Sequence, residues 1–285
     1  LGHGASLDLN ARATNASGEL ALSVVLGGGR GCVLKADAAV AGIWVPLRGR
    51  LQLGGGSGSE ALLAPGEARV IEADPRLHAV GRGNAVWVAL LGTLPAWRQV
   101  LNGQLGVPSP EAILLPARHA ADRELRRAAL ALARAARNGD AATACEALIE
   151  RIVALQAGFA AAIARCPGRT YAQRRQVFMR LQRVRNYLAT NCHLDIDNEG
   201  LARMANYSPW HFIRAFRAAY EETPHAFLVR QRLERARRLL RASPLAIAEI
   251  ALESGFENRS AFSRLFRQRF GTTAGALRRQ AGSRC

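Results

Sequence analysis

The chain has few of the residues that build metal and redox sites. Its 285 residues include five cysteines, an odd number, and six histidines. Zinc sites use cysteines or histidines in closely spaced pairs, and no such pair occurs among Cys32, Cys145, Cys166, Cys192 and Cys285. We therefore expect no metal and no cofactor. Reduced thiols indicate a cytoplasmic protein, and a redox-sensing cysteine is the alternative.

Long apolar runs are also missing. The longest uncharged apolar stretch, Gly83 to Trp97, has 15 residues, whereas a membrane-spanning helix needs about 20. The first residues do not form a secretory signal. The sequence thus predicts a soluble protein without a membrane partner.

Lysine is nearly absent, because Lys35 is the only one and arginine supplies the rest of the positive charge. The formal net charge is +17. From Arg169 onward there are 22 basic and 9 acidic residues, which leaves a net charge of only +4 in the preceding part. Charge concentrated in one segment indicates a polyanionic partner. No helix pairs this charge with a free apolar face, so a membrane surface is disfavoured.

Two copies of one pattern lie about fifty residues apart in this basic segment. The first copy consists of Leu201-Ala202, Asn206-Tyr207, Phe212, Arg214, Phe216 and Arg217, and the second of Ile250-Ala251, Gly255-Phe256, Phe262, Arg264, Phe266 and Arg267. Asn206 and Gly255 are residue types that tolerate the left-handed conformation at a helix end. Each copy therefore predicts a helix, a tight turn and a second helix.

The second helix of each copy separates phenylalanines from arginines. At about 100° per residue, Trp210, Arg214 and Arg217 lie opposite the phenylalanines, as do Ser260, Arg264 and Arg267. Arginine bridges guanine or binds phosphate, so the pattern predicts two helices that enter successive major grooves. A helix that starts at Thr223-Pro224 and ends at about Ala242, roughly 18 residues and about 27 Å long, would separate them. The alternative is two amphipathic helices with solvated arginines.

The segment from about Leu181 to Arg278 resembles the DNA-binding domain of AraC/XylS-type transcriptional regulators. The resemblance covers about a third of the chain. It is carried by Leu201-Ala202, Ser208, Phe212, Arg214, Phe216, Arg232-Leu233, Ala236, Ile250-Ala251, Gly255-Phe256, Phe262, Phe266 and Gly271. It implies an all-α domain, residues 169–285, with two helix-turn-helix units. The sequence departs from the family pattern at two places. Gly200 lies inside the first helix, and the proline expected after Gly271 is missing, since Thr272, Thr273 and Ala274 follow.

The resemblance also implies which residues contact DNA. Base-facing positions are Trp210, Ile213 and Arg214 in the first unit and Arg259, Ser260, Ser263 and Arg264 in the second. Arg217 and Arg267 are expected to bind phosphate, because they lie about a turn later.

Short apolar runs separated by glycine-rich turns characterise residues 20–94. They predict an antiparallel β-barrel or sandwich. The stretches Gly42–Gly49 and Leu63–Glu67 resemble a small cupin barrel, assigned to residues 1–110 as a sensor domain. A cupin-type enzyme is the less favoured alternative, because its metal site needs several histidines and the strand region, residues 20–94, has only His78.

An effector pocket is predicted inside this barrel. Trp44 and Trp87 offer aromatic surface, and Arg48 and His78 offer polar contacts. The alternative is that both tryptophans belong to the core.

A helical hairpin is predicted for residues 111–168. Leu148, Ile152, Leu155 and Phe159 form one apolar stripe. This stripe either pairs with the same helix of a second chain or packs against the chain's own barrel.

The sequence as a whole predicts an α+β protein that is not an enzyme. We expect a homodimeric transcriptional regulator, an activator or a repressor, which binds promoter DNA, senses a small-molecule effector and contacts RNA polymerase. The alternative is an effector-independent regulator whose barrel serves only assembly.

Overall fold

The chain divides into two compact units, Leu1–Ala160 and Ala161–Cys285. The structure, a computed structural model, describes residues 5–7, 22–36, 39–55, 60–105, 114–138 and 141–282. Parts of the Gly54–Gly58 and Asn138-Gly139-Asp140 loops, together with His3 and Cys285, lie outside these residues.

The first unit is built on one sheet. Its strands are β1 (Ala5–Leu7), β2 (Ser23–Arg30), β3 (Val33–Ala36), β4 (Val40–Gly54), β5 (Ala61–Leu63), β6 (Ala68–Asp74), β7 (His78–Gly92) and β8 (Ala117–His119). The order is β1-β3-β7-β4-β6-β8, with β2 also on β7 and β5 also on β4. Among the described strands, β1 and β3 pair in parallel and every other pair is antiparallel. The predicted antiparallel sheet is confirmed, but the strand pairs among the described residues do not close it into a barrel.

The central strands β4 and β7 are buried on both faces. We call the side of Ile43, Val45, Val88 and Leu90 the outer face, and the side of Trp44, Trp87, Ala89 and Leu91 the inner face; each has its own apolar cluster. Successive side chains of a strand point to opposite faces, which explains the continuous apolar runs in the sequence. Bulges near Arg48 bend β4. There Gly49 has φ +67°, and a Cβ would lie 2.8 Å from Ala85 Cα.

Four helices follow in the chain. They are α1 (Leu94–Leu105), α2 (Arg123–Asn138), α3 (Ala142–Gln156) and α4 (Gly158–Arg165). Apolar side chains of α1, α2 and α3 cover the outer face. The predicted two-helix hairpin is present as α2 and α3, and α4 leads into the second unit.

The apolar stripe of α3 packs within its own unit. Leu148 and Ile152 are 1% and 0% exposed in the outer-face core, and Leu155 packs against that core. Phe159 stacks on His119, with 6.4 Å between the ring centroids. We therefore correct the expectation that this stripe faces a second chain, because the sheet already covers Leu148 and Ile152.

By length and composition alone, Ala142–Arg165 is apolar enough to cross a membrane, with 33% of the tested window buried. One such segment is weak evidence, since core helices pass the same test.

We expect Ile152→Asp to destabilise the first unit by about 3 kcal/mol, because it buries an unpaired charge. Urea unfolding followed by tryptophan fluorescence measures this, since Trp44, Trp87 and Trp97 lie in this unit. The control is Ala154→Asp, at an exposed position of the same helix. A folded, fully stable monomer of Ile152→Asp derived from a dimeric parent would instead place the stripe at a subunit interface.

The second unit is helical. Its helices are α5 (Tyr171–Asn191), α6 (Asn198–Ala205), α7 (Pro209–Tyr220), α8 (Pro224–Ala242), α9 (Ile247–Glu253), α10 (Arg259–Phe270) and α11 (Ala274–Gly282). The predicted helix pairs are α6 with α7 and α9 with α10, and α8 lies between them in the chain.

Capping residues set the helix ends. Asn206 ends α6 in the left-handed conformation with φ 57°, as predicted. Ser208 precedes α7 but makes no side-chain cap, and its hydroxyl instead lies 2.7 Å from His211 Nδ1. The Thr273 hydroxyl accepts from the Ala276 amide at 3.2 Å, which provides a side-chain cap at the start of α11, where the family's proline is missing. Gly200 lies in the first turn of α6, where its amide donates to Asp197.

Gly255 permits the tight turn between α9 and α10. Its φ is +88°, and a Cβ would lie 2.8 Å from Arg232 Nε and 2.9 Å from the Cys192 carbonyl oxygen. We expect Gly255→Ala to lower the free energy of unfolding by about 1–3 kcal/mol. Gly275→Ala is the control, because its Cβ would make an ordinary 3.6 Å contact. Equal stability of both variants by urea unfolding would contradict this account.

Candidate nucleic-acid interface

Aromatic packing fixes the orientation of α7. Phe212 and Phe216 are fully buried. The Phe216 ring lies 4.7 Å from Tyr220 and 6.1 Å from Phe227 of α8, measured between centroids. Tyr220 donates to the Gln182 side chain of α5 at 2.8 Å. Because one side of α7 is held on α5 and α8, its opposite side faces solvent.

The exposed side of α7 forms the first reading face, which consists of Trp210, Ile213, Arg214 and Arg217. Trp210 is 62% exposed, and the Arg214 guanidinium lies 5.2 Å from the centre of its ring. This cation–π contact holds Arg214 near a defined direction. The four residues, with Ala218 and Thr223, line a concavity of about 520 Å³.

The second reading face is the exposed side of α10. It consists of Arg259, Ser260, Ser263, Arg264 and Arg267, all exposed. Phe262 and Phe266 on the other side are fully buried. The Asn258 side chain caps this helix by accepting from the amides of Ser260 and Ala261 at 2.8 and 3.0 Å.

The arginines on both faces form no ion pair with a carboxylate of the described residues. Within the described part of the chain, the guanidinium groups of Arg214, Arg217, Arg264 and Arg267 have no carboxylate partner. By contrast, Arg230 on α8 pairs with Glu222 at 2.6 Å. The unpaired charges are thus available for phosphate or base edges.

Arginines of α8 connect the second helix pair to the rest of the unit. Arg232 donates to the carbonyl oxygens of Cys192 and Leu194 at 2.7 and 2.9 Å. Arg235 donates to the Glu253 carbonyl at the end of α9 at 2.9 Å. Arg232 thus holds the segment between α5 and α6 against α8, and Arg235 holds the end of α9 against the same helix.

A half-buried arginine packs behind the first helix pair. Arg185 of α5 lies over the rings of Tyr220 and Phe227, 5.0 Å from each centroid. Burial lowers the pKa of Arg185 and raises the pKa of Tyr220. Arg185 therefore has a packing role, unlike the exposed arginines of α7.

All nine residues predicted to contact DNA lie on α7 or α10, and Ile213 is the only half-buried one. The repeat did not indicate Ala218 and Thr223, which complete the concavity. Thr223 had been assigned only as a helix start, a role that it also has, since it caps the Ala226 amide at 3.2 Å.

The structure separates the four predicted effector residues. Trp44 and Trp87 lie together on the inner face, 1% and 0% exposed, with ring centroids 5.4 Å apart. Arg48 instead lines a cavity between the sheet and α2 on the outer face. His78, at the start of β7, is 3.3 Å from the Arg76 carbonyl oxygen.

Sequence reasoning missed Arg69 on the inner face. Arg69 is paired directly with Trp44 across β6 and β4, so both side chains point to the same face. Burial and the neighbouring Arg118 lower its pKa to about 10. Among the described residues, no hydrogen-bond partner is found for Arg69 Nη1 or for the indole nitrogens of Trp44 and Trp87.

Histidine, cysteine and acidic side chains do not gather into a metal-binding group of three or more in the described ranges.

Comparison with known proteins assigns the second unit to a family. Residues 201–280 match the model of a helix-turn-helix domain. The HTH-type transcriptional regulator GlxA of Rhizobium meliloti is 44% identical over 89 residues, which are 31% of this chain and 27% of that protein. The probable transcription factor PqrA of Proteus vulgaris is 33% identical over 86 residues, 28% of this chain and 70% of that protein.

A solved structure is also similar. The DNA-binding domain of AdpA, described as a global transcriptional factor in complex with a target DNA, is 31% identical and has a TM-score of 0.35. The match covers 37% of this chain and 95% of that one.

The paired helices and the family match define a helix-turn-helix protein. The chain belongs to the AraC family of transcriptional regulators. It spans about a quarter of the length of relatives such as GlxA, and the matches concern its C-terminal part.

Proposed function

We propose that the protein is a sequence-specific transcriptional regulator that uses α6–α7 and α9–α10 as two helix-turn-helix units. The main support is the presence of two exposed arginine faces, each on the second helix of a pair and each backed by buried phenylalanines. Such helices suit the major groove, where side chains near the helix start reach base edges.

Each of the two faces combines an arginine for a base contact with an arginine for a phosphate contact. Arg214 and Arg264 lie near the middle of α7 and α10, on the side where guanine O6 and N7 can be bridged. Arg217 and Arg267 lie three residues later, where phosphate is nearer. The other residues assigned to base contacts are Trp210, Ile213, Arg259, Ser260 and Ser263.

Selection of duplexes from a random library by the full chain tests this function. We expect an enriched site with two short guanine-containing elements about 10–10.5 base pairs apart, centre to centre. If no sequence is enriched at a salt concentration that suppresses non-specific binding, the proposal is wrong.

An effector on the inner face of a cupin-like barrel is the second part of the proposal. The unpartnered nitrogens of Trp44, Trp87 and Arg69 support it, because buried donors without acceptors are costly. An acceptor-rich ligand, such as a small carboxylate, would satisfy all three. A carboxylate that quenches tryptophan fluorescence in the parent but not in Arg69→Gln would support this site, and an equal response in both proteins would contradict it.

Assembly completes the proposal. We place the protein in the cytoplasm as a homodimer on promoter DNA, where RNA polymerase is the further partner. Since Leu148 and Ile152 are buried in their own unit, the exposed side of α2 is the better candidate for the dimer contact. Light scattering of the full chain measures the dimer directly, and a monomer at all concentrations would contradict it.

A further inference from the structure

A cavity lies on the outer face of the first unit. It has a volume of about 510 Å³ and lies between β2, β4, β7 and α2. This volume is within the range of small-molecule sites, about 300–1,000 Å³. It is separate from Trp44 and Trp87, which point to the inner face.

The floor of this cavity is apolar. It is formed by Leu26, Leu47 and Val86 of the sheet and by Leu130 and Ala133 of α2. Gly27 and Gly28 also line it through their backbone, and Gly28, paired with Val86, adds no side chain on the cavity side. Such a floor favours the hydrocarbon part of a ligand, because binding removes apolar surface from water.

Three arginines border the same space. Arg48 comes from β4, and Arg134 and Arg137 come from the last turns of α2. In the described ranges, none of the three pairs with a carboxylate. Elsewhere in the same unit such pairs do form, for example between Arg118 and Glu67 at 2.7 Å. Three uncompensated positive charges beside one cavity favour an anion, which would relieve their mutual repulsion.

We infer that this outer-face cavity binds an amphipathic carboxylate, with its hydrocarbon part on the apolar floor and its carboxylate at Arg48, Arg134 and Arg137. Arginine suits this role because its guanidinium group grips a carboxylate with two parallel hydrogen bonds. The inference does not depend on DNA binding or on the inner-face site.

Gly28 offers a way to fill the cavity. It is paired with Val86, its φ is not in the left-handed region, and a Cβ there would make only ordinary contacts, the nearest at 3.8 Å to the Ala85 carbonyl oxygen. Gly28→Leu is therefore compatible with the strand and would place a side chain on the cavity side.

Calorimetric titration of the full chain with octanoate, and with 1-octanol as the uncharged match, tests the inference. We expect saturable octanoate binding, with octanol at least about tenfold weaker. Gly28→Leu should abolish octanoate binding, and Arg134→Gln combined with Arg137→Gln should weaken it at least about tenfold. Arg127→Gln, two turns earlier on α2, should leave it unchanged, and Arg69→Gln tells this site from the inner-face one.

Three results would overturn the inference. They are absent or non-saturable octanoate binding, octanol that binds as tightly as octanoate, and arginine variants that bind like the parent. If Gly28→Leu does not fold, the arginine variants decide. Loss of binding in Arg69→Gln alone would move the site to the inner face. DNA binding is measured separately, so failure here leaves the proposed regulator function intact.

Discussion

Raising the salt concentration from 50 to 200 mM should weaken DNA binding by about 10³- to 10⁵-fold, if the protein contacts six to ten phosphates. Each arginine that neutralises a phosphate releases counterions condensed on the DNA. The entropy gained by this release falls as the salt concentration rises. The second unit carries most of the net charge, with 22 basic against 9 acidic residues from Arg169 onward. Fluorescence anisotropy with a labelled duplex measures the slope of log K against log salt.

The control for this prediction is Arg217→Ala together with Arg267→Ala. Because both residues are assigned to phosphate, the steepness of log K against log salt should fall by about two, roughly one for each lost contact. Binding to all sequences should weaken alike. A slope close to zero in the parent protein would contradict the electrostatic account of the interface.

Replacing both Arg214 and Arg264 with alanine should cost about 2–6 kcal/mol of binding free energy at the preferred site, since each bidentate contact contributes about 1–3 kcal/mol. The two residues lie on different helix pairs, so we expect their effects to add. Each single variant should also lose base preference at one position only. Competition binding against duplexes with single base changes measures both quantities.

The contrast with the phosphate-binding pair makes this prediction specific. Arg214 and Arg217 are both exposed on α7, so loss of charge alone would make their alanine variants equivalent. If Arg214→Ala weakens all duplexes equally and keeps the parent's base preference, Arg214 contacts the backbone and the assignment is wrong.

The second unit was largely predictable because its signals are local. A repeated spacing of phenylalanines and arginines defines which side of a helix is buried, and Asn206 and Gly255 mark the turns. Both have positive φ values, 57° and 88°. The side-chain cap of Thr273 was not anticipated, because one hydroxyl can substitute for a proline at a helix start without a distinctive pattern.

The first unit was harder to predict because its pairings are long-range. Apolar runs predicted the strands, but the doubly buried strands β4 and β7 have no alternation that tells the inner from the outer face. The sequence therefore grouped Arg48 with Trp44 and Trp87, although a bulge in β4 separates them. Arg69 and Arg134 were missed for the same reason, since their neighbours in space are distant in the sequence.

The apolar stripe of α3 shows a related limit. Its spacing predicts one buried side, and the same spacing serves a dimer interface or the chain's own core. Only the position of the sheet decides between them, and Ile152 lies against it.

Changing the spacing within the selected DNA site tests the central claim most directly. If α7 and α10 read successive major grooves from one side of the duplex, inserting five base pairs, about half a turn, between the two elements moves one element to the opposite side. Binding should then fall to the level of a single element, whereas an insertion outside the site should have no effect. Unchanged affinity after the internal insertion would show that the two helix pairs do not bind DNA together at a fixed spacing, and would contradict this account.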